Sequence, residues 1–193
     1  QYSMINKAWL DDLGLEVPTS LDELHDALKA FKDNDMSAKY YGNAPGSTLP
    51  MTTGFDEWCW GQNIFYAGFG FTNWPNDVIN DIHLKSDGTV EFVCASDAYR
   101  DCLTYFHDWY AEGLMDVEMF SQSDSQLIAK CQQGYVGVST WWYIEELMGE
   151  YAEDYVFMPP LTGPKGTPYE DTCGVTIRPG SPIKSGDLCI TNK

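Results

Sequence analysis

Helix-type and strand-type hydrophobic patterns alternate along this chain, and the alternation restricts its fold more than any other feature of the sequence. Leu21, Leu24 and Leu28 recur at helical spacing, whereas residues 135–139 form a short apolar segment typical of a buried strand. Segments of both kinds follow one another without an internal repeat. Chains organised in this way fold as layered α/β structures. The sequence therefore predicts the α/β class rather than an all-helical bundle.

Serine residues mark the expected starts of three helices. Ser20 and Glu23 form a capping-box pattern that predicts a helix extending to Lys32, and Ser123 begins a shorter helix. Ser96 begins the longest predicted helix, which a glycine ends. The apolar face predicted for this longest helix consists of Tyr99, Leu103, Phe106 and Tyr110.

The remaining elements are predicted from shorter patterns. Ser86-Asp87-Gly88 favours a hairpin between residues 82–84 and 90–92. Residues 33–53 are rich in Gly and Pro and predict a loop with one short strand. Further helices are predicted at residues 5–13, 55–71 and 142–152, and further strands at residues 155–158, 173–178 and 188–191.

Acidic residues outnumber basic ones, with 29 Asp and Glu against 11 Lys and Arg and a formal net charge of −18. This charge repels the phosphates of nucleic acids and anionic lipid headgroups, so nucleic acid is excluded as a partner. No run of about 18 apolar residues occurs, so no membrane-spanning helix is predicted. The chain also contains 7 Trp. An acidic, Trp-rich and lysine-poor composition is typical of a sugar-binding surface.

Six cysteines are present, none in CxxC spacing. A chain of 193 residues forms a core without disulfide staples, so buried free thiols are the simplest interpretation and disulfides are the alternative. Cys102 and Cys131 lie on predicted helices at positions that face inward, where we expect no disulfide. The three histidines are scattered, and no HExxH motif or spaced-Asp calcium loop occurs. No metal or other cofactor is therefore expected.

Several motifs occur together in an order that resembles the extracellular solute-binding proteins of ABC importers, in particular those that bind maltose and other oligosaccharides. The first runs from Ile5-Asn6-Lys7 to Glu23-Leu24, and the second is the helix over residues 99–116 with its Glu-Gly-Leu ending. The third comprises a short helix, a glycine and a strand before a tryptophan pair, at residues 130–142. The last is the strand that runs into a proline loop at residues 156–164.

The resemblance implies a fold of two α/β lobes that close on a ligand, with residues 1–193 forming a single C-terminal-type lobe cut out near its hinges. It further implies that this lobe is a mixed sheet flanked by helices. The implied function is non-covalent capture of a sugar or oligosaccharide for import, without enzyme activity. An ABC permease in the membrane is the implied partner of a monomeric receptor. The full-length protein is expected to be extracellular or periplasmic and anchored as a lipoprotein.

The candidate ligand-binding residues follow from this resemblance and from sugar chemistry. A sugar offers an apolar CH face to aromatic rings and hydroxyl groups to carboxylates. Trp141 and Trp142 follow a strand and precede a helix, where the family places a ring against the sugar. Core packing is the alternative for the rings, and a favourable interaction with a helix N-terminus is the alternative for the acids. The other candidates, which match acidic and aromatic contacts of the family, are Asp56, Glu57, Trp58 and Asp124.

A fragment of a glycoside hydrolase is the alternative function. Such enzymes use two carboxylates at a defined separation across the scissile bond. The pairs Asp56-Glu57 and Glu145-Glu146 are adjacent in sequence, which does not indicate that separation. The histidines also lack a GxSxG motif or a catalytic cysteine context. The binding function is therefore preferred.

Overall fold

The structure is a computed structural model that describes residues 2–54, 63–70, 82–84 and 88–172. None of the described helices combines the length and the hydropathy needed to cross a bilayer. In chain order the elements are β1 (Tyr2–Asn6), α1 (Lys7–Leu13), α2 (Leu21–Asp33), α3 (Met36–Tyr41), β2 (Leu49–Met51), α4 (Asn63–Ala67), β3 (Ile82–Leu84), β4 (Val90–Phe92), α5 (Asp97–Ala111), α6 (Asp124–Gln132), β5 (Val136–Trp141), α7 (Ile144–Met148) and β6 (Tyr155–Phe157), with 3₁₀ turns at Val93–Ala95 and Gly149–Asp154.

A mixed sheet with the strand order β2-β5-β1-β6 organises the fold. β5 runs parallel to β2, with Met51 opposite Val138, and antiparallel to β1, with Tyr2 opposite Trp141. β6 pairs antiparallel with the other edge of β1. All residues of β5 are buried, as expected for a strand with neighbours on both sides and helices above and below. The predicted α/β class, with a mixed sheet flanked by helices, is confirmed.

Helices cover both faces of this sheet. Ile5 and Val138 are paired across β1 and β5 and belong to the larger hydrophobic core. Met4 and Trp141 belong to a second, smaller core. Because neighbouring residues of a strand point to opposite faces, Met4 and Ile5 lie on opposite sides of the sheet, each in a different core. The helices contribute Phe31 of α2 and Trp109 of α5 to the larger core, and Leu127 of α6 and Leu147 of α7 to the smaller one.

The serine caps predicted from the sequence are confirmed. The side chains of Ser20, Ser96 and Ser123 accept hydrogen bonds from backbone amides in the first turns of α2, α5 and α6. Only Ser123 forms the complete capping box with its partner glutamine. At α2, the Glu23 carboxylate instead accepts from the backbone amide and hydroxyl of Thr19, both at 2.8 Å. These hydrogen bonds lower the pKa of Glu23.

Three local predictions were wrong or incomplete. Ile5 lies in β1 and not in a helix, because β1 pairs with β5 and β6, which the local pattern does not reveal. Helix α3 occupies part of the predicted loop over residues 33–53. It begins after Asp35, which has a φ of 45° and whose side chain does not cap the helix. The start of α3 therefore lacks the capping pattern that a sequence would show. The helix predicted at residues 142–152 is α7 followed by a 3₁₀ turn.

The buried face of α5 also differs from the prediction. Leu103 and Tyr110 are 48% and 39% exposed, whereas Cys102 and Trp109 are buried with Phe106. The helical spacing is correct, but the face is rotated by one position, because the large Trp109 ring packs into the core. Tertiary packing therefore decides which of two apolar stripes is buried.

The remaining predictions are confirmed or lie outside the described residues. The hairpin is present as β3 and β4, with Ile82 opposite Phe92. Of the helix predicted over residues 55–71, α4 is described, and the strands predicted at 173–178 and 188–191 lie outside the described residues. Cys102 and Cys131 are free and buried, as expected. Burial raises the pKa of the Cys131 thiol to about 12.

Candidate ligand-binding site

The candidate site lies at the carboxyl end of the parallel strands β2 and β5. β2 passes directly into the buried residues Thr52 and Thr53, and β5 ends at Trp141 and passes into Trp142. The carboxyl ends of parallel strands form the edge where ligands bind in open α/β sheets, because the loops there extend away from the sheet together. Two parts of the chain that are about 90 residues apart in sequence are thus adjacent.

Hydrogen bonds join a third segment, the residues just before helix α6, to this edge. The hydroxyl groups of Thr53 and Thr140 form a hydrogen bond between the ends of β2 and β5. The side-chain amide of Gln122 donates to Thr52 Oγ1 at 2.8 Å and to the Thr53 carbonyl at 2.9 Å. Gln122 lies two residues before Asp124, the first residue of α6. The strand ends and the start of α6 are therefore held together by direct contacts.

A charged pair, Lys130 and the buried Asp116, is hydrogen-bonded to this junction. Lys130 of α6 donates to the Asp116 carboxylate at 2.6 Å and to Gln122 Oε1 at 2.9 Å, and its ammonium lies 2.8 Å from Glu118 Oε2. Asp116 is 5% exposed and also accepts from the Thr52 hydroxyl at 2.8 Å. Burial by itself lowers the pKa of Lys130, but the hydrogen bonds and the charges of the two carboxylates outweigh it and raise the pKa.

The hydrogen-bonding groups of Gln122 show whether this network can contact a ligand. Both N–H groups of its side chain are used within the protein, and its oxygen accepts from Lys130. A saturated amide has no N–H left for a ligand. Gln122 and Lys130 therefore support the edge rather than contact a ligand, and the ligand-facing groups are carried by the segments that they hold.

The two tryptophans of the candidate site differ in exposure. Trp141 is 4% exposed and belongs to the smaller core. Its ring packs edge-on against Trp142, with the centroids 5.0 Å apart. Trp142 is partly exposed, so it is the member of the pair that presents ring surface to solvent. Trp141 Nε1 is buried without a hydrogen-bond partner among the described residues, so Trp141 does not offer its N–H to solvent.

The acidic candidates have different positions relative to this edge. Asp124 is the first residue of α6 and is partly exposed beside the capping Ser123. Asp56, Glu57 and Trp58 lie outside the described residues. They follow Gly54, which is buried directly after the strand end of β2. Gly54, the last described residue before them, therefore lies at the same edge of the sheet as Trp142.

Sequence reasoning missed the polar residues that build the edge. Thr53 and Gln122 belong to no motif, and Lys130 was recognised only as the start of the motif over residues 130–142. The contacts of Thr53 join residues far apart in the chain. The available signal was the position of two threonines directly after an apolar strand, since polar residues at strand ends are typical of sites. Within the described ranges, no three His, Cys, Asp or Glu side chains are grouped so as to hold a metal ion.

Comparison with known families identifies the class of protein that has this fold. Residues 2–184 match the family of bacterial extracellular solute-binding proteins. The chain belongs to this family, and the resemblance noted in its motifs is confirmed.

Two curated relatives are similar over part of their length. The fructooligosaccharide ABC transporter substrate-binding protein FusA of Streptococcus pneumoniae serotype 4 is 32% identical over 168 residues, which are 84% of this chain and 28% of FusA. The lipoprotein LipO of Bacillus subtilis is 29% identical over 63% of this chain and 22% of LipO. The chain thus spans less than a third of the length of these relatives.

Solved structures agree with this assignment. FusA in complex with kestose superposes with a TM-score of 0.69 at 30% identity, covering 86% of this chain and 32% of that structure. An extracellular solute-binding protein from Bifidobacterium longum subsp. infantis superposes with a TM-score of 0.70 at 27% identity, covering 90% of this chain and 36% of that structure. Both neighbours are binding proteins by name, not enzymes.

Proposed function

We propose that residues 1–193 form one lobe of a two-lobed receptor that captures a sugar or oligosaccharide non-covalently for an ABC importer. Membership of the solute-binding family supports this function. So does the similarity to FusA, whose name describes a fructooligosaccharide-binding protein. A single sheet with helices on both faces is consistent with one lobe, and the share of each relative that is covered is also consistent with one lobe.

The observation that carries the proposal is the convergence of three segments at one sheet edge. The hydrogen bonds of Gln122, Thr53 and Thr140 hold these segments together. In the proposed site, Trp142 offers the exposed part of its side chain to the apolar face of a sugar, and Trp141 packs against it. The carboxylate of Asp124 accepts hydrogen bonds from sugar hydroxyl groups.

Asp56, Glu57 and Trp58 complete the proposed site from the segment that follows β2. They combine a ring with two carboxylates, the chemistry that a sugar requires. Their assignment as ligand contacts rests on the family resemblance and on the position of Gly54, which lies at the same edge just before them in the chain. No step of bond cleavage is assigned to these carboxylates.

We propose a binding protein in preference to the glycoside hydrolase. Of the adjacent carboxylate pairs, Glu145 and Glu146 are both exposed at the start of α7 and follow each other directly in the chain. A glycosidase instead requires two carboxyl groups that flank the bond from opposite sides. The partner of the receptor is an ABC permease. An extracellular or periplasmic location and a lipid anchor fit the family and the lipoprotein LipO, and we propose that the receptor is monomeric.

Calorimetry on the complete two-lobed protein tests this function. A panel of oligosaccharides is titrated, and each bound sugar is recovered and analysed for cleavage. We expect binding without hydrolysis. Replacing Trp142 by Ala weakens binding of the bound sugar by about fivefold or more, because a stacked ring contributes about 1 kcal/mol or more. Tyr40→Ala is the matched control, since Tyr40 is an exposed ring on α3, away from the edge. Sugar cleavage, or no binding to any sugar, contradicts the proposal.

A further inference from the structure

Two exposed aromatic rings are in contact at the edge of the four-stranded sheet. Tyr2 and Phe157 are 61% and 48% exposed, and their ring centroids are 5.1 Å apart. Because β1 runs antiparallel to both β5 and β6, the amino end of β1 and the carboxyl end of β6 lie at the carboxyl end of β5. The ring pair therefore lies at the same edge as Trp142, on the side of β6.

The chain around these two rings is apolar. Met4 is opposite Phe157, and Tyr2 lies two residues before Met4, so both rings are on the sheet face of the smaller core. After Phe157 the chain continues with the partly exposed Met158 and the exposed Pro159. We call Tyr2, Phe157, Met158 and Pro159 the aromatic patch. Its four side chains carry one strong hydrogen-bonding group, the Tyr2 hydroxyl.

This composition fits a sugar poorly. A sugar has hydroxyl groups around its ring, and each hydroxyl that leaves water needs a new hydrogen-bonding partner. The single hydroxyl of the aromatic patch does not replace the water of several sugar hydroxyls. An apolar protein surface needs no such partners, and its contact with the patch removes apolar area of both from water. The aromatic patch is therefore suited to a protein surface.

The size of the aromatic patch determines what kind of protein surface can cover it. The exposed parts of its two rings amount to on the order of 200 Å², since a whole aromatic side chain buries about 150 to 250 Å². A separate protein needs about 800 Å² on each partner for a stable complex. A second copy of this chain is further disfavoured by its net charge of −18. A covalently joined surface needs far less area, because its effective concentration is high.

We propose that the aromatic patch contacts an apolar surface of the second lobe when the two lobes of the receptor close on a ligand. The inference rests on the proposed two-lobed receptor and adds a contact that stabilises its closed form. The edge that carries the candidate site faces the second lobe in that receptor, so closure brings this lobe to the patch. The match covers 28% of FusA, so a relative of this kind has ample further chain to supply such a surface.

Tyr2 and Phe157 are positioning residues in this proposal. Burial of their rings favours the closed form, and the affinity for a sugar rises with the population of that form. The rings thus act on sugar binding without touching the sugar. Their contribution is the same for every sugar on which the lobes close, whereas a ring that stacks on the sugar contributes only when the sugar is long enough to reach it.

Substitution of the two rings in the complete two-lobed protein is the first test. Tyr2→Ser and Phe157→Ser are compared with Phe92→Ser, because the Phe92 ring is 54% exposed on β4 of the other sheet. Calorimetry measures the affinity for a bound sugar and for a shorter and a longer member of its series. We expect Tyr2→Ser and Phe157→Ser to weaken all three affinities by a similar factor of about five or more, and Phe92→Ser to leave them unchanged.

The outcomes separate this inference from the proposed function. A loss of affinity that grows with the length of the sugar means that the rings contact the sugar, which overturns the inference and leaves the function standing. Affinities that stay unchanged in both Tyr2→Ser and Phe157→Ser overturn it as well. If the unmodified two-lobed protein binds no sugar, the proposed function and this inference both fail.

The second test uses the unmodified two-lobed protein and stays valid if a variant does not fold. Hydroxyl-radical footprinting compares the reactivity of Tyr2, Phe157 and Phe92 with and without the bound sugar. We expect the reactivity of Tyr2 and Phe157 to fall by about twofold or more, because half-exposed rings become buried in a contact between protein surfaces. The reactivity of Phe92 is expected to stay the same. Unchanged reactivity of Tyr2 and Phe157 on sugar binding overturns the inference.

Discussion

At the scale of single residues, the sheet is closely packed at Gly137 of β5. A Cβ atom at this position would lie 2.5 Å from Phe31 Cδ2 and 2.7 Å from the Pro50 carbonyl oxygen. Helix α2 and strand β2 therefore approach β5 more closely than any side chain permits. Gly68 gives a useful contrast, since its nearest neighbour at 2.6 Å is the flexible end of the Leu21 side chain.

Gly137→Ala is expected to lower the free energy of unfolding by about 2 to 3 kcal/mol, because backbone and ring have to move apart. Gly68→Ala is expected to cost less, since the end of the Leu21 side chain can change rotamer. Urea unfolding followed by fluorescence measures both variants. Equal losses in the two variants contradict this account of the packing.

The Lys130 pair is the second feature at this scale, and it predicts a pH dependence. Lys130→Met leaves the buried Asp116 carboxylate without its ammonium partner, so we expect a loss of about 2 to 3 kcal/mol. The pKa of Lys130 is raised in the folded protein. Its contribution to stability is therefore fully present below the unfolded pKa of about 10.4 and is lost as the pH rises through the folded value.

Lys29→Met is the control for Lys130, because Lys29 is 56% exposed and pairs with Asp33 one turn away on α2. Exposed pairs of this kind contribute little. Thermal unfolding between about pH 7 and about pH 11 compares the two variants with the unmodified protein. We expect the stability difference between Lys130→Met and the unmodified protein to shrink at the alkaline end. A difference that stays constant with pH is evidence against the charged pair.

At the scale of elements, helix α6 and the residues just before it connect the network to the candidate site. It begins at Asp124 and contains Lys130, and its capping box at Ser123 follows directly after Gln122. The capping bonds and the side-chain network therefore act on the same short helix. A helix of nine residues has little stability of its own, so both are needed to define where it starts.

Ser123→Ala removes the side-chain acceptor for the Gln126 amide. We expect a loss of about 1 kcal/mol in unfolding free energy, together with weaker sugar binding in the two-lobed protein, because Asp124 lies in the first turn. Ser125→Ala is the matched control, since Ser125 is exposed within that turn. Chemical unfolding and calorimetry on the same samples separate the two effects. A variant that loses stability and keeps full affinity would show that the start of α6 does not shape the site.

At the scale of the whole molecule, the proposed lobe supplies only part of a ligand site. A ligand held between two lobes takes its contacts from both, and lobe closure excludes water from its hydroxyl groups. The described edge includes the partly exposed Trp142 and Asp124 and, directly after Trp142, the exposed ring of Tyr143. Contacts from one side do not enclose an oligosaccharide.

Residues 1–193 alone are therefore expected to bind sugar weakly or undetectably. If the two-lobed receptor binds at about 1 μM, the loss of about 4 kcal/mol of contacts leaves a dissociation constant near 1 mM. Calorimetry compares the isolated chain with the two-lobed protein, after circular dichroism has verified that the isolated chain is folded. Micromolar binding by the isolated chain would mean that the site is complete within these residues and that the half-receptor proposal is wrong.

The sequence by itself determined the features that depend on neighbours within one helical turn. The serine caps of α2, α5 and α6 were predicted correctly, because a cap joins a side chain to an amide only two or three residues away. The β3–β4 hairpin was predicted correctly because the short turn signal lies directly between its two strands. The order of motifs also identified the family.

Only the tertiary structure decided the features that depend on distant residues. It selected Trp109 over Leu103 for the buried face of α5, and it distinguished the buried Trp141 from the partly exposed Trp142. It also joined Thr53 to Thr140, which are 87 residues apart, and Gln122 to Thr52, which are 70 apart. Local patterns carry no information on such pairs, because their hydrogen bonds form only after the sheet has brought the strand ends and α6 together.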